Sequence, residues 1–240
     1  MTGLVDSATA IMRMAERRLD VVAHNVANIA TPGYKRRIGF AQAMAAGSAM
    51  PASPAEAMVE LMVRHDRSQA QLSQTSNPFD LAISGEGYFR VRAGDGILYT
   101  RQGQFHRDAD GLVVSPQGYV LQQAGGGDLV LDGTTMRIRQ DGTVLDGERP
   151  IARIAIETGA DAAAMTAVGE SFYAAPDGTM AQAEGAVVRQ GMLEGSNVTL
   201  GDEMTQSMVA VRQAESGARL IQLYDELIGR AVSAFGSSGK

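Results

Sequence analysis

The sequence has no cysteine and no tryptophan, and its 240 residues include only 3 histidines. The lack of cysteine excludes a disulfide scaffold, a thiolate zinc site, an iron–sulfur cluster and a cysteine nucleophile. No apolar run reaches the roughly 18 residues that indicate a membrane span, so we expect no integral membrane protein. The net charge of −6 gives no electrostatic footprint for nucleic acid, and we expect none as a partner.

What the sequence does have is an apolar fraction of 45%, which excludes a wholly disordered chain and can fill a substantial core. Its first residues do not resemble a secretory signal peptide, because charged residues interrupt the apolar ones. If the chain leaves the cytoplasm, we expect a route that does not read a cleavable signal.

Residues 1–31 are predicted to form one helix with a heptad-like apolar stripe. The helix should stop at Thr31-Pro-Gly33, because a proline disfavours the helical conformation of the residue before it and a glycine tolerates positive φ. Its stripe consists of Leu4, Ala8, Ile11, Ala15, Leu19, Val22, Val26 and Ile29.

Residues 199–234 are predicted to form a second long helix, which begins at a capping-box pattern over Thr199–Asp202. Further apolar residues widen its stripe, and a helix that is apolar on two sides requires more than one neighbour. The stripe consists of Met204, Met208, Val211, Ala218, Ile221, Tyr224 and Ile228.

The middle of the chain, residues 79–195, is predicted to be an antiparallel β domain. It contains six Asp-Gly dipeptides, a strong hairpin-turn signal, between short alternating runs such as Arg137-Ile-Arg139. The fold class is therefore α+β. The predicted parts are an N-terminal helix over 1–34, an extended connector over 35–78, the β domain over 79–195, and a C-terminal helix with its tail over 196–240.

Both apolar helices lie at the ends of the chain, and a helix of about 31 residues spans roughly 45 Å. Neither can bury its whole stripe on a small β domain. We therefore expect the two helices to pair with each other and their remaining apolar faces to pack on other subunits. If that packing is head-to-tail and does not close, the product is a helical filament.

Four segments resemble the signatures of bacterial flagellar rod and hook proteins. The first is the N-terminal one, an asparagine-rich helix end followed by Thr-Pro-Gly-Tyr-Lys. The other three occur in the same order as in the family. Two lie at the start of the β domain, and the last lies just before the C-terminal helix. The segments are His24–Lys35, Asp80–Val91, Tyr99–Tyr119 and Gly191–Val198.

The resemblance implies an axial subunit of the flagellar rod, the drive shaft in the periplasm. It further implies homologous rod subunits as partners, self-association in a helical array, and uncleaved delivery by the flagellar type III export apparatus. The chain length favours the proximal-rod members, with the distal-rod member as the alternative.

Within this interpretation, the terminal stripes form the subunit interface. Asn25 and Asn28 are expected to hydrogen-bond to neighbouring helices and set their register, and Asn197 belongs to the same interface. The segment from Thr31 through Pro32, Gly33, Tyr34 and Lys35 stops the helix and leads into the connector. Lys35 and the two arginines after it are interpreted as a solvated basic turn, with contact to an acidic neighbouring subunit as the alternative.

Two other functional classes are weaker. The histidines, His24, His65 and His106, lie in different segments without a shared ligand spacing, and no nucleophile elbow is present, so we expect neither an enzyme nor a cofactor. Gly125-Gly-Gly-Asp128 and the Asp-Gly pairs faintly resemble calcium repeats, which leaves a secreted calcium-binding or adhesin-like β protein as an alternative. The repeat period and an EF-hand loop are both missing.

Overall fold

The computed structural model describes residues 3–44, 58–133, 136–159 and 165–237. The chain divides into two compact units. Unit 1 comprises residues 1–27, 37–66 and 198–240, and unit 2 comprises residues 28–36 and 67–197. The chain therefore passes between the units four times, and each unit is assembled from segments that are distant in sequence.

Unit 1 contains the two terminal helices, α1 (Gly3–Ala27) and α2 (Leu200–Ser237). They pack against each other in antiparallel orientation. Near the middle of α1, Arg18 Nη1 donates a hydrogen bond to Gln213 Oε1 at 3.0 Å, whereas the earlier Ala8 lies beside the later Gly217. This arrangement confirms the predicted pairing of the terminal helices.

Small residues form the seam of the helix pair. Ala8, Ala15 and Ala210 are completely buried. A Cβ atom on Gly217 would lie 2.7 Å from Met12 Cγ and 3.1 Å from the backbone oxygen of Ala8. The heptad spacing of Ala8 with Ala15, and of Ala210 with Gly217, thus brings the two backbones into close approach.

The helix boundaries differ slightly from the predicted ones. Helix α1 ends at Ala27 rather than residue 31, and α2 extends from Leu200 to Ser237 rather than over 199–234. The earlier end of α1 has a local cause. Asn28 begins a turn in which its carbonyl accepts the Thr31 N–H at 3.1 Å and its side-chain oxygen accepts the Thr31 hydroxyl at 3.0 Å. Such local bonds compete with helix continuation.

Unit 1 also contains an antiparallel pair of strands, β1 (Arg37–Met44) and β2 (Met58–His65). Arg37 lies opposite His65, and Met44 lies opposite Met58. This ribbon falls within the stretch for which an extended connector is predicted. The alternating pattern in these strands is short, and the alanine-rich sequence around them conceals it.

Unit 2 is antiparallel throughout the strands that the structure describes. Its strands are β3 Leu72–Gln74, β4 Leu81–Ser84, β5 Tyr88–Ala93, β6 Gly96–Thr100, β7 His106–Arg107, β8 Val113–Val114, β9 Val120–Leu121, β10 Arg137–Ile138, β11 Thr143–Asp146, β12 Arg149–Arg153, β13 Ile156–Gly159, β14 Thr166–Val168, β15 Phe172–Ala174, β16 Met180–Gln182, β17 Val187–Gln190 and β18 Met192–Glu194. The largest sheet runs in the order β14-β15-β6-β5-β9-β8-β7, with β13 pairing both β5 and β16. Three smaller sheets are β10-β11-β12, β17-β4 and β18-β3.

Two clusters of buried apolar side chains lie in unit 2. The larger is built around residues such as Leu81, Phe89 and Leu121, all with 0% exposure, and the smaller contains Tyr88, Tyr99, Met165 and Tyr173. The Asp-Gly pairs do serve as turns. Between β10 and β11, Gly142 has φ +83°, and Asp141 Oδ1 accepts the Thr143 N–H at 3.0 Å. The predicted central antiparallel β region is confirmed. Within the described residues, neither helix combines the length and apolarity needed to cross a membrane.

Candidate functional site

A buried carboxylate lies at the centre of a cluster of charged side chains in unit 2. Glu194, the last residue of β18, is fully buried and binds two cations. Its Oε1 accepts a hydrogen bond from Lys35 Nζ at 2.6 Å, and its Oε2 accepts one from Arg101 Nη1 at 3.0 Å. We call Lys35, Arg101 and Glu194 the Glu194 cluster.

Backbone groups bind most of the remaining polar atoms around the cluster, whereas the buried Arg101 Nε has no hydrogen-bond partner. Lys35 Nζ also donates to the Ser68 carbonyl at 2.7 Å, and Glu194 Oε1 also accepts the Ala70 N–H at 3.0 Å. Arg101 donates to the carbonyls of Gly85 at 2.6 Å and Ile83 at 3.2 Å. Each charge is thus surrounded by oriented partners, as a buried ion requires.

The Arg101 guanidinium also lies over the ring of Tyr88, 5.4 Å from its centroid. Burial raises the pKa of the Tyr88 hydroxyl, and the neighbouring Arg67 and Arg101 lower it to a smaller extent. The phenol therefore stays neutral, and its ring provides an aromatic face for the cation.

The turn after α1 fits closely against the cluster. Gly33 has φ +70°, and its N–H donates to the Glu194 carbonyl at 2.8 Å. A Cβ atom at this position would overlap the backbone of Arg101 and Gln102. Glycine is therefore required here both for its conformation and for its size. The next residue, Tyr34, is completely buried.

The structure corrects the interpretation of Lys35 as part of a solvated basic turn. Its side chain is 1% exposed and its counterion belongs to the same chain. A neighbouring subunit is therefore not needed to neutralise it. A run of three basic residues gives no sign of this, since such runs are normally solvated.

Asn197 ties the same region together through its side chain. Its Oδ1 accepts the Arg36 N–H at 2.6 Å, and its Nδ2 lies 3.2 Å from Ser68 Oγ. Unit 2 ends at Arg36, begins again at Arg67 and ends again at Asn197. One network of unit 2 therefore holds together three of the four points at which the chain leaves or enters that unit.

Asn25 and Asn28 both find partners within their own chain. The Asn25 amide exchanges two hydrogen bonds with the backbone of Arg37, at 2.9 Å to its carbonyl and 2.8 Å from its N–H. Asn28 Nδ2 donates to Glu170 Oε2 at 2.8 Å. These bonds lie within one chain and fix the backbone at the residues on which they act. The expected contact of the two amides with neighbouring helices stays a prediction.

One ionisable residue of the Glu194 cluster comes from each of three segments that carry the family resemblance. Lys35 ends the first, Arg101 lies in the third, and Glu194 lies in the last. Family models match the same regions. They are the flagella basal body rod protein model over residues 12–35, the flagellar hook protein FlgE/F/G D1 domain model over 82–146, and the flagellar basal body rod FlgEFG protein C-terminal model over 189–234.

Whole-chain comparisons extend this likeness. The chain is 32% identical over 226 residues to the flagellar basal-body rod protein FlgF of Caulobacter vibrioides, covering 92% of both chains. The chain belongs to the FlgF/FlgG family of flagellar basal-body rod proteins. It is also 31% identical to FlgG of Bacillus subtilis, covering 92% of this chain and 95% of that one. Against FlgF of Salmonella typhimurium it is 29% identical, with coverage of 88% and 89%.

As a member of this family, the chain is a structural rod subunit of the flagellar basal body and not an enzyme. The acidic residue of the calcium-like segment has a structural explanation. Arg92 binds both carboxylate oxygens of Asp128, at 2.9 Å and 2.7 Å. The Arg92 guanidinium thereby lowers the pKa of the Asp128 carboxyl. Across the described ranges, the structure shows no cluster of three or more potential metal-ligating side chains.

In the rod subunit, the predicted interface residues fall into two groups. One is buried or half-buried within the chain itself and comprises Ala8, Ile11, Ala15, Leu19, Val22, Asn25, Asn28, Asn197, Ala218, Ile221 and Tyr224. The other is exposed and comprises Val26, Ile29, Met204, Met208, Val211 and Ile228. Leu4 lies in α1, but its side chain is outside the described residues.

Proposed function

We propose that this rod-family chain is a proximal-rod subunit of the FlgF type, which polymerises through its terminal helices into the drive shaft of the flagellum. The 240-residue length and the alignment with Caulobacter FlgF over 92% of both chains support the proximal assignment. The comparable identity to Bacillus FlgG keeps the distal rod as a second candidate.

The exposed apolar stripe on α2 carries the assembly proposal. Met204, Met208 and Val211 are 59%, 58% and 43% exposed, although they follow helical spacing along one face. The face of α2 that packs on α1 is a different one, centred on Ala210 and Gly217. Apolar rows of this kind on a subunit of a polymer are expected to be covered by neighbouring subunits.

The C-terminal part of α2 offers a second uncovered surface. Helix α2 has 38 residues and α1 has 25. Because Gly217 lies beside Ala8, the pairing leaves roughly fifteen residues, about 22 Å of α2, beyond the start of α1. Leu223, Leu227 and Val232 are exposed in this part. Helices of neighbouring subunits would bury them and make the contact continuous along the rod.

In this arrangement the terminal helices form the inner core of the rod, with α2 innermost because more of its surface is apolar. The β domain contacts neighbouring subunits laterally. Torque is transmitted through close-packed side chains, which resist compression. The subunit is delivered without signal cleavage by the flagellar type III export apparatus and works in the periplasm.

Replacement of Val211 by aspartate tests the assembly proposal. Burying an unpaired carboxylate between subunits costs several kcal/mol, so the V211D chain should be absent from isolated basal bodies and its cells should not swim. Its helix content and unit 2 should be unchanged, since Val211 is exposed in the single chain. Ser216, also exposed on α2, supplies the matched control S216D. Normal motility with V211D would refute the role of the stripe.

The position of the chain along the intact basal body decides between the two rod segments. Labelling with an antibody against an epitope on unit 2 should place a proximal subunit near the inner-membrane end of the rod. Label confined to the region under the outer rings would instead assign the chain to the distal rod.

A further inference from the structure

Two thioethers stand out among the described side chains. Met204 and Met208 are the most exposed methionines there, and they are one helical turn apart on the same face of α2. The chain has 13 methionines and no cysteine, so thioethers are the only sulfur groups that an oxidant can reach. Met136 and Met165, by contrast, are only 2% and 9% exposed in unit 2.

We propose that Met204 and Met208 form an oxidation site that controls whether a free subunit can enter the rod. The proposal rests on the proposed function, because it requires the α2 stripe to be buried between subunits after assembly. Before assembly the two sulfur atoms are open to solvent. Afterwards the neighbouring subunit protects them.

The chemistry requires a two-electron oxidant such as a peroxide. The thioether sulfur attacks one oxygen of hydrogen peroxide, and a sulfur–oxygen bond forms as the oxygen–oxygen bond breaks. The other oxygen leaves as hydroxide and becomes water by taking up the one proton that the transferred oxygen carried. The product is methionine sulfoxide, and the peroxide has been reduced. An apolar side chain has thereby become a polar one with a strong acceptor oxygen.

The position of the two residues gives this change its effect. Within the single chain, an exposed sulfoxide remains hydrated and does not disturb the fold. Between subunits, the same oxygen would be buried in an apolar row that includes Val211, and burying an acceptor without a hydrogen-bond donor is costly. Oxidised chains should therefore remain folded but bind the growing rod more weakly, by roughly ten- to a hundred-fold.

The selectivity can be measured on the purified chain. After treatment with dilute hydrogen peroxide, peptide mass spectrometry should find sulfoxide at Met204 and Met208 roughly ten times faster than at Met136 and Met165. Met12 and Met62, which are exposed to a lesser extent, should react at an intermediate rate. Equal rates at the exposed and buried methionines would overturn the proposal.

The effect on assembly requires cells that carry the chain as their sole copy. Under mild peroxide stress, the wild-type chain should be incorporated into isolated basal bodies several-fold less, whereas M204L/M208L should be incorporated equally with and without peroxide. M204Q/M208Q, which places polar groups there permanently, should be poorly incorporated under both conditions.

The outcomes separate this inference from the proposed function. If V211D is excluded from the rod but M204Q/M208Q and peroxide-treated wild type assemble normally, the stripe is an interface and the oxidation control is refuted. If V211D also assembles normally, the interface itself is refuted. Loss of the wild-type chain together with the leucine variant under peroxide would locate the sensitivity elsewhere and overturn the inference.

Discussion

The two units of this chain differ in which side chains they bury and which they expose. Unit 2 buries charges and supplies each with partners, as the Glu194 cluster shows. Unit 1 instead joins its helices through alanine and glycine and leaves large apolar side chains such as Met204 and Leu227 exposed. The difference is the one expected if the exposed side chains of unit 1 are covered by other subunits, as proposed above.

The sequence supplies separate spectroscopic signals for the two units. Five of the six tyrosines lie in unit 2, and only Tyr224 lies in unit 1. Both long helices lie in unit 1. Because the chain has no tryptophan, tyrosine fluorescence follows unit 2 while the far-ultraviolet helix signal follows unit 1.

The largest expected effect comes from removing the buried anion of unit 2. Glu194→Gln leaves Lys35 and Arg101 buried without a counterion, and breaking such a cluster costs about 3–5 kcal/mol. The urea midpoint followed by tyrosine fluorescence should fall sharply. The exposed Glu184 provides the control E184Q, which should leave the midpoint in place. An E194Q midpoint equal to that of wild type would mean that the cluster does not stabilise unit 2.

An intermediate effect is expected from filling the seam of unit 1. In Gly217→Leu, the new side chain must displace Met12 and the backbone around Ala8, at a cost of about 1–3 kcal/mol. The helix signal should therefore melt earlier, while the tyrosine signal is unchanged. A Cβ atom on Gly229, also in α2, would meet no atom within 4 Å. The control G229A should raise helix stability by up to about 1 kcal/mol. A G217L chain as stable as G229A would contradict the close approach of the two helices at Gly217.

The smallest expected effect concerns a partly exposed ion pair in unit 2. The hydrogen bonds from Arg92 lower the pKa of Asp128 in the folded chain. This contribution is present above the ordinary carboxyl pKa of about 3.9 and is lost as the pH falls through the lowered value. Asp128→Asn should thus reduce the free energy of unfolding by less than about 1 kcal/mol at neutral pH. The difference from wild type should vanish in strong acid, and a difference that grew with acidity would contradict this linkage.

The periodicity of the sequence was sufficient to predict the helix pair, because Ala8, Ala15 and the α2 stripe recur at heptad spacing. The Asp-Gly pairs likewise predicted an antiparallel β region. Pattern alone could not show which face of α2 meets α1. The stripe contains the large side chains Met204 and Met208, but close approach of the backbones places the small residues Ala210 and Gly217 against α1.

The Glu194 cluster was beyond prediction for a different reason. Lys35, Arg101 and Glu194 are separated by up to 159 residues, and each looks like an ordinary surface charge in its own segment. A hint of the cluster was present only in the family signatures. Two of them contain its cations, Lys35 and Arg101, and a third contains its anion, Glu194. Contacts between residues this far apart in sequence leave no periodic pattern in any one segment.

The order of the cluster residues along the chain has a consequence for folding. Lys35 and Arg101 are synthesised long before Glu194. The single anion of the cluster is therefore added only after about four-fifths of the chain has been made. The same late segment supplies β17 and β18, which pair with β4 and β3. A chain terminated before residue 187 therefore lacks both of these strands and the only carboxylate of the cluster. We expect its two unmatched cations, Lys35 and Arg101, to oppose burial.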